Sequence, residues 1–227
     1  MTKRFTGILV RYSIATAGLA LVAVGVALSI ISDLGTSPIS CPPYVLSLWG
    51  GLTVGQYTAL MHFTFIVLQV MLLRKRFRAE NLMQIVAALV FGALTDLTIW
   101  ATSWIVAGTY AGKFALMVLS VLITALGISI EVRCRAWMLA GEMTVAAIAD
   151  VSGAKFRNVK IAFDVALVII AAAISWAVSG NPLGRGDSVV IREGTLISAL
   201  FTGLAMKFID PIVDRCIGHT IDNTFSK

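Results

Sequence analysis

The sequence predicts an all-α polytopic membrane protein, with six transmembrane helices in two inverted-topology three-helix repeats, each carrying a re-entrant hairpin. Three observations lead there. Of 227 residues, 58% are hydrophobic and 13% charged, with a mean hydropathy of +0.91, far from the usage of soluble domains. Six stretches approach the roughly 20 apolar residues that cross a hydrocarbon core of about 30 Å. The chain also matches itself. Displaced by 102 positions, Gly25-Val26-Ala27-Leu28-Ser29-Ile30 falls on Gly127-Ile128-Ser129-Ile130-Glu131-Val132, Gly51 falls on Gly153, and the apolar run 57–68 lies over 159–170. A further slip of nine residues, taken up in the loop from Gly180 to Gly194, lays Ala87-Ala88-Leu89-Val90-Phe91-Gly92 over Ser198-Ala199-Leu200-Phe201-Thr202-Gly203. A repeat of this kind sets the architecture. Three crossings per copy force the second copy to enter from the opposite face, as in many transporters.

The elements follow in order within one membrane domain, 1–227. Repeat one, 1–110, has spans at 12–31, 56–73 and 82–105, with a re-entrant segment at 34–51. Repeat two, 111–227, has spans at 114–132, 159–178 and 196–212, with a re-entrant segment at 136–152. The first apolar stretch has the length of a span and follows a short basic head, so no cleavable signal peptide is expected. Both connecting segments are too apolar for ordinary loops and too short to cross, which suits a re-entrant helix. Non-helical backbone at membrane depth is tolerated only where protein or a water-filled cavity satisfies its polar groups. Gly35, Thr36, Ser37 and Pro38 mark a half-helix start, since Ser or Thr caps free N–H groups and Pro suits the first turn. Such a start attracts an anion or a polar group. A surface-lying amphipathic helix is the competing reading of each segment.

Eighteen basic residues set the orientation. Lys3, Arg4 and Arg11 precede span one; Arg74, Lys75, Arg76 and Arg78 follow span two; Arg133, Arg135, Lys155, Arg157 and Lys160 lie between spans four and five. The opposite face has Lys113, Arg185 and Arg192. The positive-inside rule then puts both termini in the cytoplasm. The net charge of +6 is topological, and nucleic acid is not expected as a partner. Cys41, Cys134 and Cys216 form an odd set with neither CxxC nor Cys/His spacing, so no disulfide framework or metal site is expected. No nucleophile elbow, metal-protease, Walker or dinucleotide motif is present in the sequence, which argues against an enzyme and for no cofactor.

The run Gly25-Val26-Ala27-Leu28, then Asp33-Leu34-Gly35-Thr36-Ser37-Pro38, then Gly55 opening a helix and Phe91-Gly92-Ala93-Leu94-Thr95-Asp96-Leu97 closing the copy, resembles the bacterial YczE/YitT-type membrane proteins. The resemblance covers most of the chain and is stronger in the first copy. In the second copy Ala136-Trp137-Met138-Leu139-Ala140 stands where that family usually repeats the turn. The resemblance implies a multi-pass plasma-membrane protein and brings no transport substrate with it.

Ionisable residues at membrane depth are functional candidates. The repeat register pairs Asp33 with Arg135, Ser40 with Glu142, His62 with Asp164, and Asp96 with Lys207. If the last two lie near the symmetry axis they form a midplane ion pair; otherwise Lys207 snorkels. Glu142 stands in an apolar segment without a basic residue within a turn, and a carboxyl there can carry a proton or hold a cation. Asp164 follows Lys160 by one turn and can pair with it. His62 can relay protons or sit as a satisfied core histidine. Small residues at Ala15, Gly18, Ala23, Gly25, Ala87, Gly92, Ala199 and Gly203 let helices approach, and most Trp residues fall at span ends.

The expected activity is secondary transport of a small solute by alternating access, with protons as candidate coupling ion. Asp33, Ser37, Ser40, His62, Glu142 and Asp164 would line or gate the path. The alternatives are a passive channel with two half-helices, and a non-transporting accessory or substrate-binding subunit. The expected partners are the lipid bilayer and the solute, with a homodimer as a candidate assembly. Carboxylates at depth favour a cationic or zwitterionic solute, whereas a half-helix start at Ser37 favours an anionic one.

Overall fold

A computed structural model describes residues 2–134, 139–185, 188–218 and 221. Its long helices are α1 (Thr2–Ser32), α3 (Val54–Leu73), α4 (Met83–Thr102), α5 (Tyr110–Cys134), α7 (Phe156–Ser179) and α8 (Glu193–Val213); the short ones are α2 (Cys41–Trp49) and α6 (Ala140–Ser152). All six long helices are long and apolar enough to cross a membrane. A two-residue hairpin, β1 (Gly184–Arg185) and β2 (Ser188–Val189), sits between α7 and α8. Reading along the chain, the order long, short, long, long occurs twice.

Local chemistry explains the boundaries and the places where they differ from the sequence expectation. α1 starts at Thr2 instead of 12, because nothing in the basic head breaks a helix. It ends where Asp33 takes φ of 53° and Gly35 φ of 101°. A side chain on Gly35 would also come within 2.6 Å of the Thr195 hydroxyl, so glycine is required there on two counts. Within the segment expected at 34–51, helix forms only from Cys41, because this turn and Pro38 hold the preceding residues out of helical geometry. The first half of the 136–152 segment falls partly outside the described residues, including Trp137; helix is present from Ala140. The third span stops at Thr102 rather than 105. α3 opens with a reciprocal capping box: Gln56 N–H donates to the Thr53 hydroxyl, and Thr53 N–H donates to the Gln56 side chain. α6 and α7 end on Gly153 and Gly180.

α1 and α5 cross at the centre, antiparallel and in the most extensive helix contact of the bundle. Gly127 meets the backbone of Gly18 and Val22, and Gly25 meets Ser120 and Thr124. α4 packs on α1 and α3, while α8 packs on α5. Each short helix packs on both α3 and α7. The innermost apolar cluster joins Leu19, Val22, Ala23 and Val26 of α1 to Phe91 of α4 and to Leu139. The outward faces are apolar too, as Leu196, Leu200, Leu204 and Phe208 on α8 illustrate; for a bundle in lipid that is the expected exterior.

Candidate functional site

The N-terminal ends of the two short helices meet inside the bundle. Ile39, two residues before α2, lies against Gly141 in the first turn of α6. Around that contact Met61, Phe65 and Ile66 of α3, Ala140 of α6, and Phe163 and Leu167 of α7 close an apolar collar. Such helix ends bring unpaired N–H groups with them, and the two ends differ in what they offer. In α2, Cys41 N–H donates to the Ser37 carbonyl, residues 42 and 43 are prolines without an N–H, and Tyr44 N–H donates to the Ser40 carbonyl. Among the described residues the first turn of α2 itself therefore offers no free N–H. In α6, the N–H groups of Ala140, Gly141 and Glu142 have no acceptor among the described residues. The Pro42-Pro43 pair thus removes two of the donors that the start of α2 would otherwise present to an anion.

Two carboxylates attend the α6 end. Glu142 is half-buried in its first turn, where the helix dipole favours a negative charge. Glu131, near the end of α5, is 5% exposed, and its Oε1 accepts the Leu139 N–H at 3.0 Å. Glu131 was not singled out from the sequence, because it stands at the edge of an apolar span beside Arg133 and reads as an interfacial residue. Its replacement of Ser29 in the repeat register was the available signal.

α3 presents its inward face as a ladder of Gly55, Thr58, His62, Phe65, Ile66 and Gln69, one residue every three or four positions. His62 is 1% exposed, lies edge-on to Phe65 and Phe91 with ring centroids 6.0 and 5.8 Å away, and its Nδ1 has no hydrogen-bond partner. Two turns further along, Gln69 and Gln84 exchange amide hydrogen bonds of 3.0 and 3.1 Å. Gln69 Nε2 also donates to the Ala140 carbonyl and to the Thr144 hydroxyl, both at 3.1 Å. This buried network fastens α6 to α3 and α4. Neither glutamine was expected from the sequence, since an uncharged amide near a span end carries no distinguishing pattern.

At the far end of the bundle the 33–36 turn is tied down differently. Lys113 of α5 donates to Asp33 Oδ2 at 2.7 Å, and Val189 N–H donates to Asp33 Oδ1 at 3.2 Å. Arg192 reaches the Asp33 carbonyl at 3.5 Å. Gly194 N–H donates to the Leu34 carbonyl at 2.7 Å, and Thr36 N–H to the Val190 carbonyl at 3.0 Å. Arg185 donates to the Leu48 carbonyl and lies 4.3 Å over the Trp49 ring. Thus Lys113, Arg185 and Arg192, the three basic residues expected on one face, all hold α2 or its leading turn. Cys41 is packed beneath, and burial pushes its thiol up to about 11.

The remaining expected residues separate. Ser40 is the N-cap of α2 but makes no cap bond; its hydroxyl pairs with that of Ser37 at 2.9 Å. Thr36 is fully buried and its hydroxyl meets Cys41 Sγ at 3.4 Å, while Pro38 is buried in the same turn. Asp164 pairs with Lys160 at 2.8 Å along α7. The Asp96–Lys207 midplane pair is corrected: Asp96 accepts from Gly55 N–H at 2.8 Å and from the Thr53 hydroxyl, capping α3, whereas Lys207 is exposed on α8. Helix α4 packs toward α1 and α3 and α8 toward α5, so the two side chains do not meet. Asp33 pairs with Lys113; its register mate Arg135 lies outside the described residues. Among the described residues no three His, Cys, Asp or Glu side chains are placed to hold a metal ion.

These features define a multi-span α-helical membrane protein with polar groups gathered inside the bundle. The chain belongs to a family of unknown function, DUF6198, whose model matches residues 9–211. That match carries no YczE/YitT designation. No curated protein and no solved structure matches the chain.

Proposed function

We propose that this protein is a secondary transporter of a small cationic or zwitterionic solute, coupled to protons and working by alternating access between two inverted three-helix halves. The observation that carries the reading is the meeting of the two short-helix ends, Ile39 against Gly141, beside Glu131, Glu142 and His62. Polar side chains inside a membrane bundle are costly and cluster on solute and proton paths. The Pro42-Pro43 pair removes two donors at α2, and two carboxylates stand at the α6 end; both support a positively charged group on the solute.

The reading of inverted halves draws support from reciprocity. Under the offset of 102, the contact of Gly127 with Gly18 and Val22 becomes that of Gly25 with Ser120 and Thr124, as a two-fold axis demands. Likewise α2 packs on α7 as α6 packs on α3. Kinship with YczE/YitT-type proteins, a bacterial plasma membrane and cytoplasmic termini belong to the same proposal. Backbone bonds to Val190 and Gly194 and an ion pair of about 0–1 kcal/mol hold the turn before α2, whereas buried amide bonds hold α6.

The test is solute-driven current or uptake in proteoliposomes across a panel of cationic and zwitterionic metabolites, with and without a pH gradient. The expected result is saturable uptake driven by the gradient, lost in Glu131→Gln and Glu142→Gln. Gradient-independent uptake at a normal rate in both variants would remove proton coupling. Flux that neither saturates nor follows any gradient would replace the carrier with a channel.

A further inference from the structure

We propose that the rim made by the α3–α4 turn and the α6–α7 turn binds the phosphate headgroup of an anionic phospholipid. Positive residues beside membrane helices are expected from topology alone, but topology does not require loops from different parts of the chain to abut. Here they do. Arg76 of the first turn donates to Asp150 near the end of α6 at 3.2 Å. Phe77, the next residue, is packed into the apolar cluster shared by α3, α4, α6 and α7, which pins the first turn over the junction.

The pairing has an electrostatic consequence. Asp150 is neutralised by Arg76, and Lys160 is occupied by Asp164. Arg74, Lys75, Arg78, Lys155 and Arg157 are all exposed, with no ion pair among the described residues. Glu80 is the one other acidic residue of the first turn. The first turn of α7, which opens between Lys155 and Arg157, carries no carboxylate of its own. Phe156, half exposed beside these charges, supplies an apolar contact for acyl chains. Basic clusters next to membrane helices, and basic pockets between them, recognise anionic headgroups in this way. Arginine suits phosphate further, through its planar fork of donors.

The experiment uses the purified full chain in neutral detergent and reads thermal unfolding by tryptophan fluorescence. The additives are phosphatidylglycerol, phosphatidylcholine and inorganic phosphate, at low and high salt. Stabilisation by phosphatidylglycerol is expected, weakened at high salt and absent with phosphatidylcholine or free phosphate. Neutralising a basic residue near an anionic surface should weaken binding roughly fivefold, so R74Q/K75Q/R78Q should shift the phosphatidylglycerol midpoint about 100-fold and K155Q/R157Q about 25-fold. The charge-conserving R74K/K75R/R78K variant should retain most of the response, which separates lost binding from lost folding. Equal stabilisation by both lipids, or an unchanged midpoint in the neutralised variants, would overturn the proposal. An equal response to inorganic phosphate would overturn the lipid assignment in favour of a soluble phosphate compound.

Discussion

Replacing Gln69 with leucine tests how α6 is held. In the native chain Gln69 exchanges two amide bonds with Gln84 and donates to Ala140 O and Thr144 Oγ1. Interhelical hydrogen bonds of this kind average about 0.6 kcal/mol in membranes. The larger cost falls on the partner left behind. Gln84 is 4% exposed, so its orphaned amide carries a desolvation penalty of about 1–3 kcal/mol. Thr144 keeps its bond to the Ala140 carbonyl at 2.6 Å and loses little. Gln69→Leu should therefore destabilise by about 2–4 kcal/mol, and Gln84→Leu by less, about 1–3 kcal/mol, because Gln69 Nε2 keeps the Ala140 carbonyl and the Thr144 hydroxyl. The Gln69→Leu/Gln84→Leu double variant removes both partners at once and should cost less than the sum of the singles, by about 1.5–3 kcal/mol, because no orphan remains. Equilibrium unfolding in mixed micelles, read by tryptophan fluorescence, gives all three values. Additive costs would refute the amide pair and with it the fastening of α6.

The outer turn should respond to charge. Asp33→Asn removes the pair with Lys113, worth about 1 kcal/mol at this half-buried position; in a Ser37→Cys background it should raise maleimide reactivity of that cysteine about fivefold, and an unchanged rate would mean that Asp33 does not hold the turn. Asp96→Ala should cost about 1–2 kcal/mol through the lost α3 cap while Lys207→Ala stays within about 0.5 kcal/mol, with additive effects in the double variant; strong coupling would restore the ion pair. Thiol labelling followed by mass spectrometry should modify exposed Cys216 and leave Cys41 and Cys134 untouched at pH 8. For Cys41 the sign is set by burial, which pushes its pKa up to about 11: the thiol stays protonated at pH 8, about 0.1% is thiolate, and labelling should rise about tenfold per pH unit and level off only near pH 11. Labelling of Cys41 as fast as Cys216 at pH 8 would show that α2 is not packed as described.

The sequence by itself determined the class of protein and most of its helices. Hydrocarbon thickness permits little besides a helix of about 20 apolar residues, so composition and run length suffice for α3, α5 and α7. Local chemistry was legible as well: the Lys160–Asp164 pair follows from i, i+4 spacing, and the turn at Gly35 and Pro38 follows from backbone preference. Pro42-Pro43 was equally visible, and its removal of two donors is covalent. What only the tertiary structure decided is which long-range partner each polar group takes. Asp96 and Lys207 are register mates, yet Asp96 is engaged by Thr53 and Gly55 because α4 packs against α3. Glu131 is an interior residue because Leu139, eight positions on, donates its N–H to the carboxylate. Gln69, Gln84 and Thr144 come from three helices, and no spacing along the chain links them. Apolar length is a property of one segment, which a sequence records; the burial of a polar group depends on which segments meet, and packing alone supplies that.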